Sequence, residues 1–244
     1  MEAKTTKLPR YVSVANDLEE SVRALPPHSL MPTEQQLSKK YGVSRVTIRA
    51  ALDLLENNGI ITRERGRGTI VCPPKITRHL EPFVSFEQDM KNQDIEYTTE
   101  VQSFDTAVVP PDFIRRQLKI SNGDRVGHLS LVRWVDDQAI SHEMRYYPSK
   151  IAKKIDPSLF EANDTREVLE RTIGKSIQES HWQSEIRSPS PAAAEALKVS
   201  TRTLVLENSY LWMRDEIHPV EAGYITYRID RCKLRFDSSM KKSA

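Results

Sequence analysis

Two short helices joined by a single glycine turn are the feature that most constrains how this chain folds. Thr33 can cap a helix, and Gln36 three residues later can close a capping box. Gly42 supplies a turn, after which Ser44 can cap a second helix that ends just before Gly59. The pattern therefore predicts a helix-turn-helix in the first quarter of the chain.

The second of these helices has an apolar face and a polar N-terminal end. Its apolar residues recur at three- and four-residue steps: Ile48, Ala51, Leu52 and Leu55. Arg45, Thr47 and Arg49 lie in the first turns on the other faces. A recognition helix offers its first turns to base edges, where arginine bonds guanine and threonine reaches bases or phosphates. The pattern indicates a helix that reads the DNA major groove.

Two short amphipathic helices also build ordinary protein cores, so this pattern alone leaves a simple helical domain open. In that alternative Arg45 and Arg49 lie on a solvated surface, and Arg49 pairs with Asp53 four residues later. The segment after the second helix favours the DNA-binding interpretation.

A hairpin with arginines and glycines at its tip is predicted after the second helix. Residues 60–63 and 69–71 have strand composition, and the residues between them include Arg65 and Arg67. Glycine lets the backbone turn tightly and approach another molecule, and arginine reaches a minor groove or a phosphate. The hairpin is typical of a DNA-binding wing, although polar hairpin tips also occur in proteins of other functions.

Residues 9–72 resemble the winged helix-turn-helix of the GntR family of transcriptional regulators, most clearly in the stretch MPTEQQLSKKYGVSRVTIRAALDLLENNGIITRERGRGTIV. The resemblance implies a DNA-contacting surface, to which the hairpin composition adds two arginines. The candidate DNA-binding residues are Glu34, Ser44, Arg45, Thr47, Arg49, Arg65, Gly66, Arg67 and Gly68. Gln35 departs from the family pattern, because many members carry arginine there.

The remainder of the chain has the composition of a mixed fold with long strands. Six segments are rich in β-branched and aromatic residues and are predicted as strands: 97–109, 125–135, 138–147, 176–187, 203–214 and 218–229. Three segments between them are predicted as helices: 111–118, 165–173 and 191–197. We expect an antiparallel sheet with helices on one side.

A hairpin is predicted around Asp136-Asp137, and its first strand carries an arginine on an otherwise apolar face. Counting by two along the strand places Arg133 in that apolar row. A buried guanidinium needs a partner or an anion. The sequence leaves two interpretations open: an internal ion pair, such as Arg133 with Glu143, or a ligand site.

Residues 80–236 resemble the effector domain of the HutC subfamily, usually called UTRA, through the motifs SFEQDM, IRRQLKISNGD, RWVDDQAISHEMRYYP and EAGYITYRIDR. The resemblance implies a fold similar to chorismate lyase and a pocket in which arginine and backbone groups hold an anionic part of the effector. The candidate effector-binding residues are Ser85, Phe86, Arg133, Glu143, Arg145, Glu221 and Tyr227. Leu131 stands where phosphosugar-binding relatives often carry arginine, and Arg145 stands where serine is common. These departures leave effectors other than sugar phosphates open.

The predicted fold class is α+β: an N-terminal winged helix-turn-helix followed by an antiparallel-sheet α/β effector domain that resembles the chorismate-lyase fold. The predicted domains are a DNA-binding domain over 1–72, a linker over 73–79, an effector-binding and dimerisation domain over 80–237, and a tail over 238–244. Charge is distributed unevenly between the parts. The first 75 residues hold 12 Lys and Arg against 8 Asp and Glu, whereas the rest hold 24 against 26. This basic excess fits a DNA-binding domain but is small enough for an ordinary solvated surface.

The predicted function is a bacterial-type DNA-binding transcriptional regulator rather than an enzyme. We expect a repressor that binds double-stranded palindromic operator DNA as a homodimer and is released by a small-molecule effector, for which the resemblance implies an anionic group. No catalytic motif is present, and the six histidines and two cysteines do not fall at metal-ligand spacings. We therefore expect no cofactor, metal or membrane contact, and a cytoplasmic location. Two alternatives stay open: a ligand-independent DNA-binding protein, and a chorismate-lyase-like enzyme fused to a DNA-binding domain.

Overall fold

The computed structural model describes residues 8–79 and 84–236, and these form two compact units that divide between Ile76 and Thr77. The first unit holds three helices and a hairpin. The second holds a six-stranded antiparallel sheet with helices around it. The α+β class and the order of the two parts agree with the prediction.

The N-terminal unit is a helical core followed by a two-stranded antiparallel sheet. Its elements are α1 (Arg10–Arg23), α2 (Glu34–Tyr41), α3 (Arg45–Asn57), β1 (Ile61–Glu64) and β2 (Gly68–Val71). Both α1 and α2 pack on α3 through a buried apolar cluster that includes Leu18, Leu37, Ile48, Leu52 and Leu55. The apolar stripe predicted for the second helix is therefore its core face, and its polar face is left outside.

The predicted helix caps fix where α2 and α3 begin. Thr33 and Gln36 form the reciprocal capping box: the Thr33 side chain accepts from the Gln36 amide, and the Gln36 side chain accepts from the Thr33 amide at 2.8 Å. Gly42 ends α2 at φ 60°, a conformation that favours glycine. Ser44 caps α3 by accepting from the Thr47 amide at 3.2 Å. These contacts confirm the predicted helix-turn-helix.

The C-terminal unit contains the remaining elements. In chain order they are β3 (Ile76–His79), α4 (Phe86–Asn92), β4 (Thr98–Val108), α5 (Asp112–Gln117), β5 (Val126–Val135), β6 (Gln138–Pro148), α6 (Ser149–Ala152), α7 (Leu159–Ala162), α8 (Thr165–Ile173), β7 (Glu179–Arg187), α9 (Pro191–Ala196), β8 (Val205–Asp215), β9 (His218–Arg228) and β10 (Cys232–Arg235). The sheet order is β4-β5-β6-β9-β8-β7, with every neighbouring pair antiparallel. A separate pair joins β3 to β10.

The six predicted strands and three predicted helices of this unit are all present, with ends shifted by a few residues. The β5–β6 hairpin turns at Asp136 and Asp137, whose φ values of 50° and 56° fit a tight two-residue turn. The short elements β3, α4, α6, α7 and β10 were not predicted. β3 occupies the last four residues of the predicted 73–79 linker, because these residues pair with a strand far away in sequence. The predicted boundary at residue 80 and the predicted tail over 238–244 lie outside the described residues.

Helices cover both faces of the six-stranded sheet, so the prediction of helices on one side was wrong. α6, α7 and α8 pack on one face through a core that includes Leu129 and Tyr147. On the opposite face, α5 packs near Tyr146 and α9 packs near Val132. The central strands β5 and β6 are buried along both faces, which requires cover on each side.

Candidate functional site

The N-terminal end of α3 forms an exposed polar surface on the first unit. Arg45 and Arg49 are both exposed, while Thr47 is half-buried and its hydroxyl contacts the Ser44 hydroxyl at 2.9 Å. Within the part of the chain that the structure describes, Arg45 has neither a hydrogen bond nor an ion pair. Its guanidinium is therefore available to an external partner.

Arg49 is held in place by Glu34, the first residue of α2. Arg49 Nε lies 3.3 Å from Glu34 Oε1, and Arg49 Nη2 lies 3.0 Å from Glu34 Oε2. The hydrogen bond from Arg49 lowers the pKa of Glu34 despite the opposing effect of burial. The alternative ion pair between Arg49 and Asp53 does not form. Asp53 Oδ1 instead lies 2.6 Å from Nη1 of Arg63 in β1. Glu34 thus links the two helices and orients Arg49.

The hairpin of β1 and β2 brings its two glycines and two arginines to an exposed tip. Gly66 and Gly68 have φ values of 82° and 109°, so both positions favour glycine. Arg67 lies 3.1 Å from Glu64, whereas no hydrogen bond or ion pair of Arg65 falls within residues 8–79 and 84–236. The hairpin therefore presents one arginine already paired within the wing and one open to solvent.

Val46 also lies on this surface, although it was not predicted from the sequence. Its side chain is 78% exposed in the first turn of α3, between the two predicted contact residues Arg45 and Thr47. The signal was present in the sequence, because position 46 falls outside the apolar stripe of the helix. An apolar group at this place can contact a thymine methyl in a major groove.

A cavity of about 160 Å³ lies in the second unit. Five of the seven predicted effector-binding residues line it: Ser85, Phe86, Glu143, Arg145 and Tyr227. Residues that were not predicted complete its wall: Arg78, His79, Val84, Thr165, Arg166, Trp182, Ser184, Trp212, Ile225 and Phe236. Arg133 and Glu221 are not part of the wall, and both are fully buried.

Strand register brings the predicted polar residues onto one face of the sheet. Glu143 of β6 is opposite Ile225 of β9, and Arg145 is opposite Gly223 two residues along. Alternate residues share a face, so Glu143 and Arg145 lie beside Glu221 on the neighbouring strand. A β-carbon at Gly223 would clash with the backbone carbonyl of Met144 and lie 2.9 Å from the Tyr210 hydroxyl, so the close approach of both groups requires glycine here. Period-two counting thus predicted the correct face.

Arg133 forms an internal ion pair, which was one of the two interpretations left open. Its Nε lies 3.2 Å from Glu143 Oε1, and its Nη1 lies 2.7 Å from Glu87 of α4 and 2.6 Å from the Thr99 hydroxyl. Burial by itself lowers the pKa of Arg133, but Glu143 and Glu87 raise it above its ordinary value.

Arg145 connects two buried carboxylates. Its Nη2 lies 2.6 Å from Glu143 Oε2, and its Nη1 lies 2.6 Å from Glu221 Oε1, which also accepts from the Tyr210 hydroxyl. Burial opposes ionisation of Glu143, yet the two arginines lower its pKa to about 2. Burial raises the pKa of Glu221.

Two kinds of element supply the cavity residues that were not predicted: short elements absent from the prediction, and strands whose order in the sheet was not predicted. Arg78 belongs to β3, inside the predicted linker, and forms a buried ion pair with Asp89 of α4. Trp182 and Trp212 lie on β7 and β8, and each packs against the Tyr210 ring, with centroid distances of 4.9 Å and 5.6 Å. The two-residue spacing of Tyr210 and Trp212 predicts that they share one face of a strand. The order of the strands, which the sequence does not give, is needed to place Trp182 beside them.

The described residues contain no cluster of three or more His, Cys, Asp or Glu side chains suited to a metal ion. Among the helices within those same residues, none has the length and apolar character needed to cross a membrane.

Two protein families match separate parts of the chain. Residues 10–71 match the family described as bacterial regulatory proteins, gntR family, and residues 92–233 match the UTRA domain. The second match covers more than half of the chain. The two matches correspond to the helix-turn-helix with its hairpin and to the unit that contains the cavity.

Two curated relatives are named repressors. The chain is 29% identical over 177 residues to the mannosyl-D-glycerate transport/metabolism system repressor MngR of Escherichia coli strain K12, covering 70% of this chain and 73% of MngR. It is 26% identical over 162 residues to the HTH-type transcriptional repressor NagR of Bacillus subtilis strain 168. That alignment covers 66% of each protein, just under two thirds of NagR.

A solved structure with the same fold is the crystal structure of PhnF from Mycobacterium smegmatis. It superposes with a TM-score of 0.62 at 21% sequence identity, covering 93% of this chain and all of that one. At this identity the likeness concerns the fold.

Proposed function

Because the chain belongs to the gntR family of bacterial regulatory proteins and carries a UTRA domain, we propose that it is a repressor released from its operator by a small molecule. It is a DNA-binding transcriptional regulator rather than an enzyme. MngR and NagR are both named repressors, which supports repression as the sign of regulation.

The observation that carries the proposal is the exposed N-terminal end of α3. Arg45 is solvent-exposed and has no partner within residues 8–79 and 84–236, and Glu34 holds Arg49 beside it. A helix N-terminus also attracts phosphate through its unsatisfied amides. In the proposed complex Arg45 reads a base edge, while Arg49 and Thr47 contact bases or phosphates nearby.

The wing supplies the second part of the DNA contact. Gly66 and Gly68 let the backbone of the hairpin tip approach the duplex, and Arg65 is open to a phosphate or a minor groove. Arg67 is already paired with Glu64, so we assign it a weaker, sequence-independent contribution.

The cavity of the second unit is the proposed effector site. A ligand changes operator affinity only when it binds the DNA-bound and released states unequally, so effector and operator affinities are reciprocally linked. The family resemblance implies an anionic effector, whereas the charges around the cavity favour a different ligand class.

We further propose that the protein acts as a homodimer in the cytoplasm, where operator DNA is located. Two copies of α3 about one helical turn of DNA apart, roughly 34 Å, require a palindromic operator. The second unit would supply most of the dimer contact, as the family resemblance implies.

Footprinting on the DNA that flanks its own gene tests this proposal. Two protected half-sites with two-fold symmetry are expected, and the protection should disappear when the effector is added. A single protected half-site would argue against the dimer. Protection that no metabolite pool removes would favour a ligand-independent DNA-binding protein.

A further inference from the structure

We propose that the cavity binds an uncharged, hydroxyl-rich ring, because carboxylates of the protein itself occupy the arginines that would otherwise hold a phosphate or carboxylate. This inference rests on the proposed function only in treating the ligand as the effector. It changes the expected chemistry of that ligand from an anion to a neutral polyol.

The first internal anion is Glu87, in the first turn of α4. Its Oε1 lies 2.7 Å from Arg133 Nη1, which also donates to the Thr99 hydroxyl, and Arg133 Nε donates to Glu143. Arg133 Nη2 is buried and has no hydrogen bond within the described residues. Arg133 is fully buried and does not reach the cavity wall. Because Arg133 is fully buried, a ligand phosphate would reach it only by moving the groups that cover it, and would then meet the negative charges of Glu87 and Glu143.

The second arginine, Arg145, lies in the cavity wall, but two buried carboxylates of the protein neutralise its charge. Glu143 and Glu221 each lie 2.6 Å from its guanidinium nitrogens. Two carboxylates therefore face one cation, and an arriving anion would be repelled by both. Breaking such a buried pair leaves an uncompensated charge, which is costly.

The other two cations of the wall are paired as well. Arg78 forms its buried ion pair with Asp89, which also accepts from the backbone amide of His79 at 2.9 Å. Arg166, which is partly buried, lies 3.1 Å from Glu170. Each of the four arginines near the cavity thus has a carboxylate partner within the described residues, so the site has no cation in excess.

A cationic ligand is disfavoured by the same arrangement. The aromatic faces that would hold an ammonium group already receive guanidinium groups: Arg78 lies over Phe86 and Tyr227, and Arg145 lies over Trp212. A further cation would meet Arg78 and Arg145 at the wall. Neither sign of charge is therefore accommodated well.

Hydroxyl groups suit this wall because each one both donates and accepts. A hydroxyl can donate to Glu143 and accept from Arg145 without changing the net charge of the site. Apolar surface comes from Trp182, Trp212 and Phe86, which suits the flat faces of a ring. The cavity of about 160 Å³ is smaller than the roughly 300–1,000 Å³ of drug-sized pockets, so it fits a single ring.

The test uses the full-length protein and three hexoses, namely glucose, galactose and mannose, each with its 6-phosphate, together with inorganic phosphate at matched ionic strength. Thermal unfolding and the fluorescence of Trp182 and Trp212 report binding. For the wild type we expect saturable effects from at least one free hexose and none from its phosphate or from inorganic phosphate. Saturable binding of any phosphate by the wild type, or of no compound at all, would overturn the proposal.

Glu143→Gln removes a carboxylate from Arg145, which lines the cavity, and should create saturable phosphate binding, about tenfold or more above that of the wild type. Glu221→Gln removes the other carboxylate from Arg145 and is the second variant, in case Glu143→Gln does not fold. Glu207→Gln is the matched control. It removes the carboxylate of β8 that pairs with Arg187 of β7, and neither residue lines the cavity. Failure of both variants to gain phosphate binding would contradict the assignment of Glu143 and Glu221 as the internal anions of Arg145.

Operator binding is measured in parallel without any sugar. If the protein binds no DNA, the proposed function fails while the ligand result still stands on thermal unfolding. If DNA binding is normal and phosphates bind the wild type, the ligand class fails while the proposed function stands.

Discussion

At the residue scale, Val46 is a side chain whose exposure requires an explanation. An aliphatic group 78% exposed between Arg45 and Thr47 gains nothing from solvent, but it would be buried against a thymine methyl in a major groove. Its position follows from the helix period, because the apolar stripe of α3 begins at Ile48 and leaves Val46 on the outer face.

We predict that Val46 reads one thymine in each operator half-site. Replacing that thymine with deoxyuridine removes only the methyl group, and wild-type affinity should fall by about 1 kcal/mol, the value of burying a methyl-sized group. Val46→Ala should lose a similar amount on the normal operator and no more on the deoxyuridine operator. Additive losses in this double-mutant cycle, measured by fluorescence anisotropy, would show that the two groups do not touch.

Glu143 has a pKa that predicts a specific dependence of stability on pH. Its folded pKa of about 2 lies below the ordinary value of 4.5, so its ion pairs contribute stability above about pH 4.5 and lose it as the pH falls towards 2. The full contribution is about 3 kcal/mol.

We therefore expect Glu143→Gln to lower the free energy of unfolding at pH 7 and to approach the wild type in acid. Urea denaturation at a series of pH values measures the difference between the two proteins. Burial raises the pKa of the nearby Glu221, and the charge of Glu143 raises it further, so Glu143→Gln also removes that repulsion. A difference that stays constant from pH 7 to pH 2 would be inconsistent with this role of Glu143.

At the element scale, the start of α3 combines a stability role with a binding role. The Ser44 hydroxyl accepts from the Thr47 amide and also contacts the Thr47 hydroxyl. Ser190 makes the equivalent cap for α9, where it accepts from the Ala193 amide at 3.2 Å in the other unit. The two serines provide a matched comparison of the same cap in different functional settings.

Ser44→Ala and Ser190→Ala should each cost about 1 kcal/mol of stability, as is usual for a lost N-cap. Only Ser44→Ala should also weaken operator binding, because it releases Thr47 and the first turn of α3. Chemical denaturation and a gel-shift titration measure the two effects. Equal losses of DNA affinity in both variants would mean that the cap acts through global stability alone.

The local elements were predictable where short-range chemistry determines them. The capping box at Thr33, the cap at Ser44 and the turn at Asp136-Asp137 each depend on residues within a few positions. Elements set by distant partners were not predictable in this way. β3 forms because it pairs with β10, and helices cover both sheet faces because β5 and β6 lie in the middle of the sheet.

The candidate sites divide along the same line. The face shared by Glu143 and Arg145 followed from a period of two, whereas the pairing of Arg133 with Glu87 needed the position of α4 relative to the sheet. Likewise, the pairing of Arg49 with Glu34 joins two helices, whereas the four-residue spacing within one helix suggested Asp53 as the partner of Arg49. Contacts between elements therefore required the structure.

At the scale of the whole molecule, two units with separate cores carry separate tasks. Within residues 8–79 and 84–236, the first unit presents Arg45 and Arg65 without a hydrogen bond or ion pair, and the second pairs Arg78, Arg133, Arg145 and Arg166 with carboxylates. Substitutions at the cavity should therefore change the response to effector while operator affinity without effector stays intact.

The central claim is that α3 offers Arg45 to the edges of base pairs. Binding of the operator and of a scrambled duplex, measured side by side in dilute salt without effector, tests it most directly. The wild type should prefer the operator, Arg45→Ala should lose about 1–3 kcal/mol on the operator with little change on scrambled DNA, and the α1 control Arg23→Ala should behave like the wild type. Equal binding of both duplexes by the wild type, or an unchanged preference in Arg45→Ala, would contradict the claim.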